Sequence, residues 1–301
     1  MEKNIFWLAS YPKSGNTLLR SILISLFFTK DGIFKLNQSN KIDQFETTRL
    51  IVNNKNIFKD NIESLNKISV FYKYITALQT KKSLGIKEDF IFKKTHSGLF
   101  RIGNSDFTNE NCSRGIIYVI RDPRDVCLSW GRHSGLSIEE TIDFMTNELA
   151  VLKWVETSEY IKDYSMKNLP ESFLSSWEKH VISWTSINWN VPRLVIKYED
   201  LVYDKSNTII SIIDFFTKNY NFKFNNIDKK IENILISTKF EKMKEEEESK
   251  GFREATKYSK FFSVGKKNQW INKLNKKQIS IIEKKCKILM KQFNYKLAVE
   301  I

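Results

Sequence analysis

The stretch that decides the fold reads IFWLASYPKSGNT and covers residues 5–17. Its first part, Ile5–Ser10, is a short apolar run typical of a buried strand, and it leads into a polar turn that contains Pro12 and Gly15. Beyond the turn, apolar residues recur at i, i+3, i+4, i+7 and i+8 from Leu19, which places them on one face of a helix. The stretch therefore predicts a buried strand, a polar loop and an amphipathic helix, in that order.

Three further short apolar runs also end in polar turns, and helical patterns separate them. They are Phe90–Lys94, Gly115–Ile120 and Arg193–Lys197. Strands that alternate with helices are typical of a mainly parallel sheet covered on both faces. We therefore expect an α/β fold: a single domain over residues 1–301 with a central parallel β-sheet flanked by helices. In such sheets ligands bind beyond the carboxyl ends of the strands, where these polar turns fall.

The composition limits the class of protein. The chain has 301 residues, of which 41% are hydrophobic and 13% aromatic, and this excludes a wholly disordered chain. The cysteines Cys112, Cys127 and Cys286 are too widely spaced for a disulfide framework and fit a reducing compartment. The apolar stretch Leu18–Phe28 is too short and too polar for a membrane span, and no signal-peptide cleavage site follows it. We expect a cytoplasmic protein with no membrane span.

The formal net charge of +14 leaves the class of partner open. The lysines are spread along the chain, whereas a nucleic-acid binder more often gathers basic residues in a stripe with aromatics. A positively charged cleft that attracts a small anionic ligand fits the charge equally well. Ordinary solvated surface accounts for most of the lysines in either case.

The polar turn after the first strand has the features of an anion site. The backbone N–H groups of Ser14, Gly15, Asn16 and Thr17 would lack partners in the first turn of the helix, and Lys13 adds a cation at the rim. The Walker pattern is absent, because the lysine precedes the glycine. The alternative interpretation is a plain strand-to-helix connection capped by Ser14.

The loop Tyr11-Pro12-Lys13-Ser14-Gly15-Asn16-Thr17 closely resembles the Y-P-K-S-G-T-T loop of cytosolic-type sulfotransferases. In that family the loop resembles the phosphate-binding loop of P-loop kinases and follows the first strand. It holds the 5′-phosphosulfate end of 3′-phosphoadenosine 5′-phosphosulfate (PAPS). The resemblance therefore implies that residues 13–17 bind PAPS, and that Lys13 also stabilises the charge that develops on the leaving group.

A second polar turn reads RDPRDVCLS and covers residues 121–129. An arginine fork is a natural binder of a phosphate dianion, so Arg121 and the hydroxyl of Ser129 are candidate ligands. An Arg121–Asp125 ion pair that only caps the following helix is the alternative. The segment resembles the family's R-[ND]-P-[KR]-D-V-x-x-S site for the 3′-phosphate, and this resemblance implies that Arg121 and Ser129 bind it.

The third turn contains Lys94-Thr95-His96. A lone histidine more often has a structural role or lies on the surface than takes part in catalysis. This one, however, follows a strand and lies between the two phosphate-type loops in the sequence. The turn resembles the family's K-T-H sequence. The resemblance implies that His96 is the general base and that Lys94 helps to stabilise the transferring group.

Later segments extend the resemblance over nearly the whole chain. Trp177–Trp184 resembles a W-x-x-H-V-x-x-W helix that we interpret as core packing. By the same resemblance Tyr198 lies near the adenine, Thr238 and Phe240 pack on the base, and residues 241–270 cover the cofactor. Within that covering segment the resemblance implies that Gly265 and Lys266 bind the cofactor.

Three residues depart from the family pattern. Asn16 replaces a usual threonine, and Leu18 replaces a frequent tryptophan of the adenine pocket. Ser263 stands where the family has an arginine that grips the 3′-phosphate. We expect Lys266 or Lys267 to compensate in part for the loss of that arginine.

The resemblance implies a PAPS-dependent sulfotransferase that releases 3′-phosphoadenosine 5′-phosphate (PAP) and needs no metal. His96 would remove the proton of an acceptor hydroxyl or amine during in-line attack on sulfur. The acceptor would be a small molecule, a lipid or a glycan rather than a nucleic acid, and residues 31–89 and 131–176 are expected to shape its pocket. A nucleotide or metabolite kinase and a non-enzymatic anion- or RNA-binding protein are the alternatives.

Overall fold

The computed structural model describes residues 3–60, 65, 67–152 and 172–298. The parts of the two expected acceptor-pocket regions at 61–64, 66 and 153–171 therefore lie outside the described residues. The strands in the described residues are β1 Ile5–Ser10, β2 Ile91–Thr95, β3 Arg101–Ile102, β4 Ser105–Asp106, β5 Ser113–Ile120, β6 Val151–Leu152, β7 Ser172–Phe173 and β8 Arg193–Lys197.

The same residues also form twelve α-helices. They are α1 Asn16–Phe28, α2 Thr48–Asn53, α3 Ile68–Ile75, α4 Lys81–Leu84, α5 Pro123–Ser134, α6 Ile138–Thr146, α7 Trp177–Thr185, α8 Tyr198–Tyr203, α9 Lys205–Tyr220, α10 Ile227–Ser237, α11 Phe240–Lys250 and α12 Lys276–Gln292. None of the helices in the described parts of the chain is both long and apolar enough to cross a lipid bilayer.

The four strands expected from the sequence form one sheet in the order β2-β1-β5-β8. Strands β1 and β2 run parallel, with Ile5 opposite Ile91 and Ala9 opposite Thr95. The expected α/β fold with a central parallel sheet between helices is confirmed. Two of the strand bounds are corrected: β2 starts and ends one residue later than expected, and β5 begins at Ser113 rather than at Gly115.

The chain divides into two compact units. The first comprises Met1–Tyr11, Gln44–Tyr118 and Asn147–Arg193, and the second comprises Pro12–Asp43, Val119–Thr146 and Leu194–Ile301. The first unit is built around an aromatic cluster of Trp7, Phe45, Phe107 and Trp184. That residues 1–301 form a single domain stays a prediction.

The three cysteines are buried, and Cys112, Cys127 and Cys286 form no disulfide. Burial raises the pKa of the Cys127 thiol to about 12, and the nearby Glu139 carboxylate adds to the shift. A thiol held protonated in this way is a small apolar packing group rather than a nucleophile.

Candidate active site

The loop between β1 and α1 holds its backbone in an unusual conformation. Lys13 has φ 63° and Gly15, the N-cap of α1, has φ 107°, both in the left-handed region. A non-glycine residue with positive φ is uncommon and costs on the order of 1–3 kcal/mol, and such strain tends to occur at functional sites. Arg121 Nη1 donates to the Lys13 carbonyl at 2.9 Å and fixes the loop in this state.

The N-terminus of α1 points its first N–H groups into this loop. The N-cap is Gly15, and no side chain caps the helix. Ser14 is 1% exposed, and its hydroxyl makes no hydrogen bond to any described residue. The alternative interpretation, in which Ser14 caps the helix, is therefore wrong, because the left-handed turn at Gly15 moves the cap one residue along the chain.

Gly15 also leaves room for an aromatic ring. A Cβ at this position would lie 2.5 Å from Cδ2 of Tyr198, so the Tyr198 ring packs directly on the loop backbone. The guanidinium carbon of Arg121 lies 4.1 Å from the centre of the same ring. The sequence-predicted residues Lys13, Gly15, Arg121 and Tyr198 are thus in contact with one another.

The Gly15→Ala variant should lose stability, because the added methyl group meets the Tyr198 ring and the backbone remains at a positive φ. Gly85→Ala is the matched control, since Gly85 has φ 65° with nothing within 4 Å of an added Cβ. Urea unfolding should show a cost of about 1–2 kcal/mol for Gly85→Ala, from the left-handed backbone alone. The cost for Gly15→Ala should be larger by more than about 1 kcal/mol, from overpacking against the ring. Equal costs would show that Tyr198 does not restrict the loop.

Lys13 is held by two groups that the sequence analysis did not single out. Its Nζ lies 3.4 Å from Nδ1 of His133 in α5 and 3.9 Å from the centre of the Phe261 ring. Because an ammonium group can only donate, Nδ1 of His133 accepts, and His133 is the neutral tautomer with its proton on Nε2. No local pattern connects residues 13, 133 and 261, so only the fold reveals this contact.

A carboxylate also reaches the loop. Thr17 Oγ1 donates to Oε2 of Glu254 at 2.9 Å, and Nη1 of the buried Arg20 donates to Oε1 of the same side chain. The guanidinium of Arg20 also donates to the carbonyls of Ile42 and Ser39. Glu254 therefore anchors the segment after α11 to α1 and accepts the single proton of the Thr17 hydroxyl.

The second candidate turn lies at the start of α5. Besides Lys13, Arg121 donates from Nη2 to the carbonyl of Lys266 at 3.3 Å, while its Nε is buried without a hydrogen-bond partner among the described residues. Asp125 accepts from the backbone N–H groups of Asn268 and Trp270 at 2.7 and 3.2 Å. Arg121 does more than pair with Asp125, because it also donates to the Lys13 and Lys266 carbonyls. Burial raises the pKa of Asp125, and the nearby charge of Arg121 opposes the shift.

Of the residues expected near the base, Phe240 packs against Gly265. Phe240 begins α11, and its ring lies where a Cβ on Gly265 would be, at 2.3 Å from Cδ2. The buried Thr238 carbonyl accepts from Lys205 Nζ at 2.8 Å, and burial lowers the pKa of Lys205 to about 8. Lys205 is a further residue that the sequence analysis missed. The candidates Lys13–Thr17, Arg121, Ser129, Tyr198, Thr238, Phe240, Gly265 and Lys266 all belong to the second unit.

Lys94 and His96 belong to the first unit, at the end of β2, and are 7% exposed. The parallel pairing with β1 brings His96 to Ser10, whose carbonyl lies 2.8 Å from His96 Nδ1, with the Ser10 hydroxyl at 3.4 Å. A carbonyl can only accept, so Nδ1 of His96 carries the proton and, in the neutral ring, Nε2 carries the lone pair. The fold thus fixes the tautomer that presents a basic nitrogen.

The turn that carries His96 is held by buried groups. His180 Nε2 donates to the His96 carbonyl at 2.9 Å, and Trp184 Nε1 donates to the Ser97 carbonyl at 2.9 Å. Thr95 and Ser97 both donate their hydroxyls to Oε1 of the buried Glu46, at 2.5 and 2.7 Å. Burial raises the pKa of Glu46, while these hydroxyl hydrogen bonds oppose the shift. The turn is therefore rigid on both sides of His96.

His180 is also held in one tautomer, because its Nε2 donates to the His96 carbonyl. In the neutral ring its Nδ1 accepts from the Tyr118 hydroxyl at 2.9 Å. Burial lowers the pKa of His180 to about 4, and the hydrogen bond to His96 opposes the shift only in part. The ring is fully buried, with an exposed fraction of 0%.

The lowered pKa of His180 predicts a loss of stability in mild acid. The unfolded chain takes up this proton near pH 6.5 and the folded chain only near pH 4, so the stabilisation present above pH 6.5 is lost as the pH falls towards 4. Between pH 7 and pH 5 the free energy of unfolding should fall by about 2 kcal/mol through this residue. Urea titrations should show that the His180→Gln variant lacks this part of the pH dependence. Identical slopes in the two proteins would contradict the assignment.

The described residues contain no group of three or more His, Cys, Asp or Glu side chains arranged to hold a metal ion. The cationic groups at the loop are Lys13 and Arg121, and Glu254 is the carboxylate that reaches it.

The comparison with protein families shows to which family the chain belongs. The family profile described as "Sulfotransferase domain" matches residues 3–294. The chain belongs to the sulfotransferase family.

Luciferin sulfotransferase from Photinus pyralis is 26% identical over 244 residues, which cover 78% of this chain and 55% of the relative. Amine sulfotransferase from Oryctolagus cuniculus is 22% identical over 236 residues, which cover 78% of this chain and 61% of the relative. This sulfotransferase chain thus aligns with only 55% and 61% of the length of these curated relatives.

Solved structures show the same fold. A retinol dehydratase in complex with androsterone and the inactive cofactor PAP superposes with a TM-score of 0.58 and 17% identity, over 97% of this chain and 82% of that one. A mouse sulfotransferase complexed with PAP gives a TM-score of 0.59 and 18% identity, over 98% of this chain and 90% of that one. At this identity the likeness establishes the architecture of the sulfotransferase chain, and its ligands have to be argued from its own residues.

Proposed function

We propose that this chain transfers the sulfuryl group of PAPS to a hydroxyl or amine of an acceptor. The observation that carries the proposal is a pair of orphaned buried donors at one loop. The hydroxyl of Ser14 and Nε of Arg121 make no hydrogen bond to any described residue, although Arg121 itself holds the loop through Lys13. Both donors lie beside the cation Lys13 or its backbone, and a phosphorylated ligand supplies the acceptors that these donors lack.

The residues present fit such a nucleotide. The N-terminus of α1 with Lys13 and Ser14 suits its 5′ anionic group, because helix N–H groups and the helix dipole favour anions. Arg121 and Ser129 suit its 3′-phosphate, and Tyr198 and Phe240 offer aromatic faces for the base. Gly265 allows the close packing of Phe240. The exposed side chain of Lys266 extends from the residue whose carbonyl Arg121 holds.

Each side chain then has a defined task. When bound, PAPS supplies an activated sulfuryl group and a leaving bisphosphate. His96 accepts the acceptor's proton at Nε2, because Ser10 fixes the other proton at Nδ1. Lys13 places an ammonium group at the anion loop, where it offsets negative charge as it develops, and Lys94 adds a second cation at the end of β2. Preorganisation by His133, Glu46 and His180 keeps these groups in place without reorganisation during the reaction.

The acceptor is proposed to be a small molecule, a lipid or a glycan in the cytoplasm, and residues 31–89 and 131–176 to shape its pocket. The retinol dehydratase structure named above contains androsterone, a small molecule, bound to another protein. Membership of the sulfotransferase family favours this reaction over a kinase or a non-enzymatic anion- or RNA-binding role.

The proposal is tested by incubating the purified chain with PAPS and a panel of phenols, aliphatic alcohols and amines, with and without a metal chelator. Mass spectrometry should detect a sulfated acceptor and PAP, and the chelator should not change the rate. If no member of the panel is sulfated and calorimetry detects no PAP binding, the proposed function is wrong.

A further inference from the structure

Ser263 stands where the family pattern has an arginine, and Arg132 contacts the same segment of the chain. Ser263 is exposed, and Lys266 and Lys267 are exposed as well. The ammonium group of Lys267 lies 4.4 Å from the centre of the Tyr203 ring, so this lysine is engaged with an aromatic face. Neither lysine supplies the planar two-pronged donor that an arginine presents to a phosphate.

Arg132 in α5 connects to the same backbone segment as Arg121. Its Nη2 donates to the Gln269 side-chain oxygen at 3.2 Å, and the Gln269 amide donates to the Lys266 carbonyl at 2.7 Å. That carbonyl is also the acceptor of Arg121 Nη2 at 3.3 Å. The two guanidinium groups are therefore linked through one side-chain amide and one carbonyl oxygen.

The same face of α5 carries Ser129. Asp125, Ser129 and Arg132 occupy positions i, i+4 and i+7, which fall on one side of a helix. Asp125 on this side is bonded to the backbone of Asn268 and Trp270, so the side faces the segment 266–270. Ser129 accordingly lies between a residue that fixes this segment and an arginine that contacts it.

Both arginines keep an unused donor. Nε of Arg121 and Nε of Arg132 are buried, and neither has a hydrogen-bond partner among the described residues. Arg121 as a whole is 5% exposed. The pKa of Arg132 is lowered first by burial and next by the positive charge of Arg121, with Asp125 opposing the shift. The charge of Arg121 thus reaches Arg132, and an anion bound by both groups would satisfy both orphaned N–H donors.

We infer that Arg132 binds the 3′-phosphate together with Arg121 and Ser129, and so replaces the arginine that is absent at position 263. The inference rests on the proposed function, because it assigns a residue to the nucleotide of that function. It replaces the expectation that Lys266 or Lys267 supplies the missing charge. The specificity of the site for a nucleotide with a 3′-phosphate would then come from one helix, α5, and from the strand end before it.

Calorimetry with two probes separates this role from general effects. PAP carries the 3′-phosphate, and adenosine 5′-phosphate (AMP) lacks it. Arg132→Ala should raise the dissociation constant for PAP by about 10- to 100-fold, the range for a lost charged hydrogen bond. The constant for AMP should change by less than about twofold. Arg132→Lys, which keeps the charge and loses the fork, should fall between Arg132→Ala and the wild type for PAP.

One control variant and one competing variant complete the experiment. Arg101→Ala removes an arginine that is paired with Asp106 at the surface of the first unit, and should leave both constants unchanged. The double variant Lys266→Ala/Lys267→Ala tests the competing assignment of the missing charge, and should raise the PAP constant by less than Arg132→Ala does. A larger loss in the double variant than in Arg132→Ala would overturn the inference in favour of the lysines. Equal weakening of PAP and AMP by Arg132→Ala, or no weakening, would also overturn it.

The outcomes also distinguish the inference from the function it rests on. A wild-type chain that binds PAP no more tightly than AMP would overturn both. A wild-type chain with a clear preference for PAP that Arg132→Ala leaves intact would overturn the inference alone. Unchanged thermal unfolding of Arg132→Ala would show that the loss of affinity does not come from misfolding.

Discussion

Replacing His96 by alanine should reduce sulfuryl transfer by about 10²- to 10⁴-fold, the usual contribution of a general base. The reason is the fixed tautomer: Ser10 holds the proton on Nδ1, so Nε2 is the nitrogen that can take a proton. The affinity for PAP should remain within about twofold, because every candidate nucleotide ligand lies in the other unit. Turnover of PAPS with the best acceptor of the panel, together with calorimetry, measures both quantities.

Ser10→Ala is the matched control for this experiment. It removes the hydroxyl at 3.4 Å and keeps the carbonyl at 2.8 Å that fixes the tautomer. Its rate should therefore stay within about threefold of the wild type, since the lost contact is long and weak. A loss of only a few-fold in His96→Ala would show that His96 is not the base.

Replacing Arg121 by alanine should have the largest effect on nucleotide binding. The variant loses the orphaned Nε and also the two donors that hold the carbonyls of Lys13 and Lys266. We expect the dissociation constant for PAP to rise by about 100-fold, as for a charged hydrogen-bonding group removed from a buried site. Adenosine 5′-phosphosulfate has no 3′-phosphate, so the fold increase in its dissociation constant should be smaller by a factor of at least about ten.

A smaller loss for adenosine 5′-phosphosulfate is expected rather than none, because Arg121 also supports the loop through Lys13. Arg121→Lys keeps the charge, cannot make the same two hydrogen bonds, and should restore only part of the PAP affinity. Calorimetry that finds equal weakening of both ligands in Arg121→Ala would contradict the assignment of this residue to the 3′-phosphate.

The sequence predicted the strands well where apolar runs end sharply. Ile5–Ser10 and Arg193–Lys197 are confirmed residue by residue. β5 extends back to Ser113 because the Ser113 hydroxyl accepts from Trp7 Nε1 at 3.1 Å, so a polar side chain is buried there. A prediction from hydrophobic periodicity places such a polar residue at the surface. Its hydrogen-bond partner, Trp7, lies too far away in the sequence to be recognised.

The site was predicted as a set of residues but not as a network. Motif resemblance named Lys13, Arg121 and His96, and the structure gives each of them hydrogen-bond partners. The contacts of Lys13 with His133 and of Arg132 with Gln269 join residues more than 100 positions apart. No local spacing encodes such pairs. The tautomer of His96 is likewise a product of strand pairing, because it depends on which carbonyl of β1 lies opposite the ring.

The central claim is that the loop after β1 and the start of α5 together bind a 3′-phosphorylated nucleotide. A crystal structure of the chain grown with PAP tests it most directly. The 5′-phosphate should lie within hydrogen-bond distance, about 3 Å, of the N–H groups at the start of α1 and of the Ser14 hydroxyl, with the 3′-phosphate at Arg121 and Ser129. PAP bound elsewhere on the chain, or with its phosphates away from Ser14 and Arg121, would contradict the account.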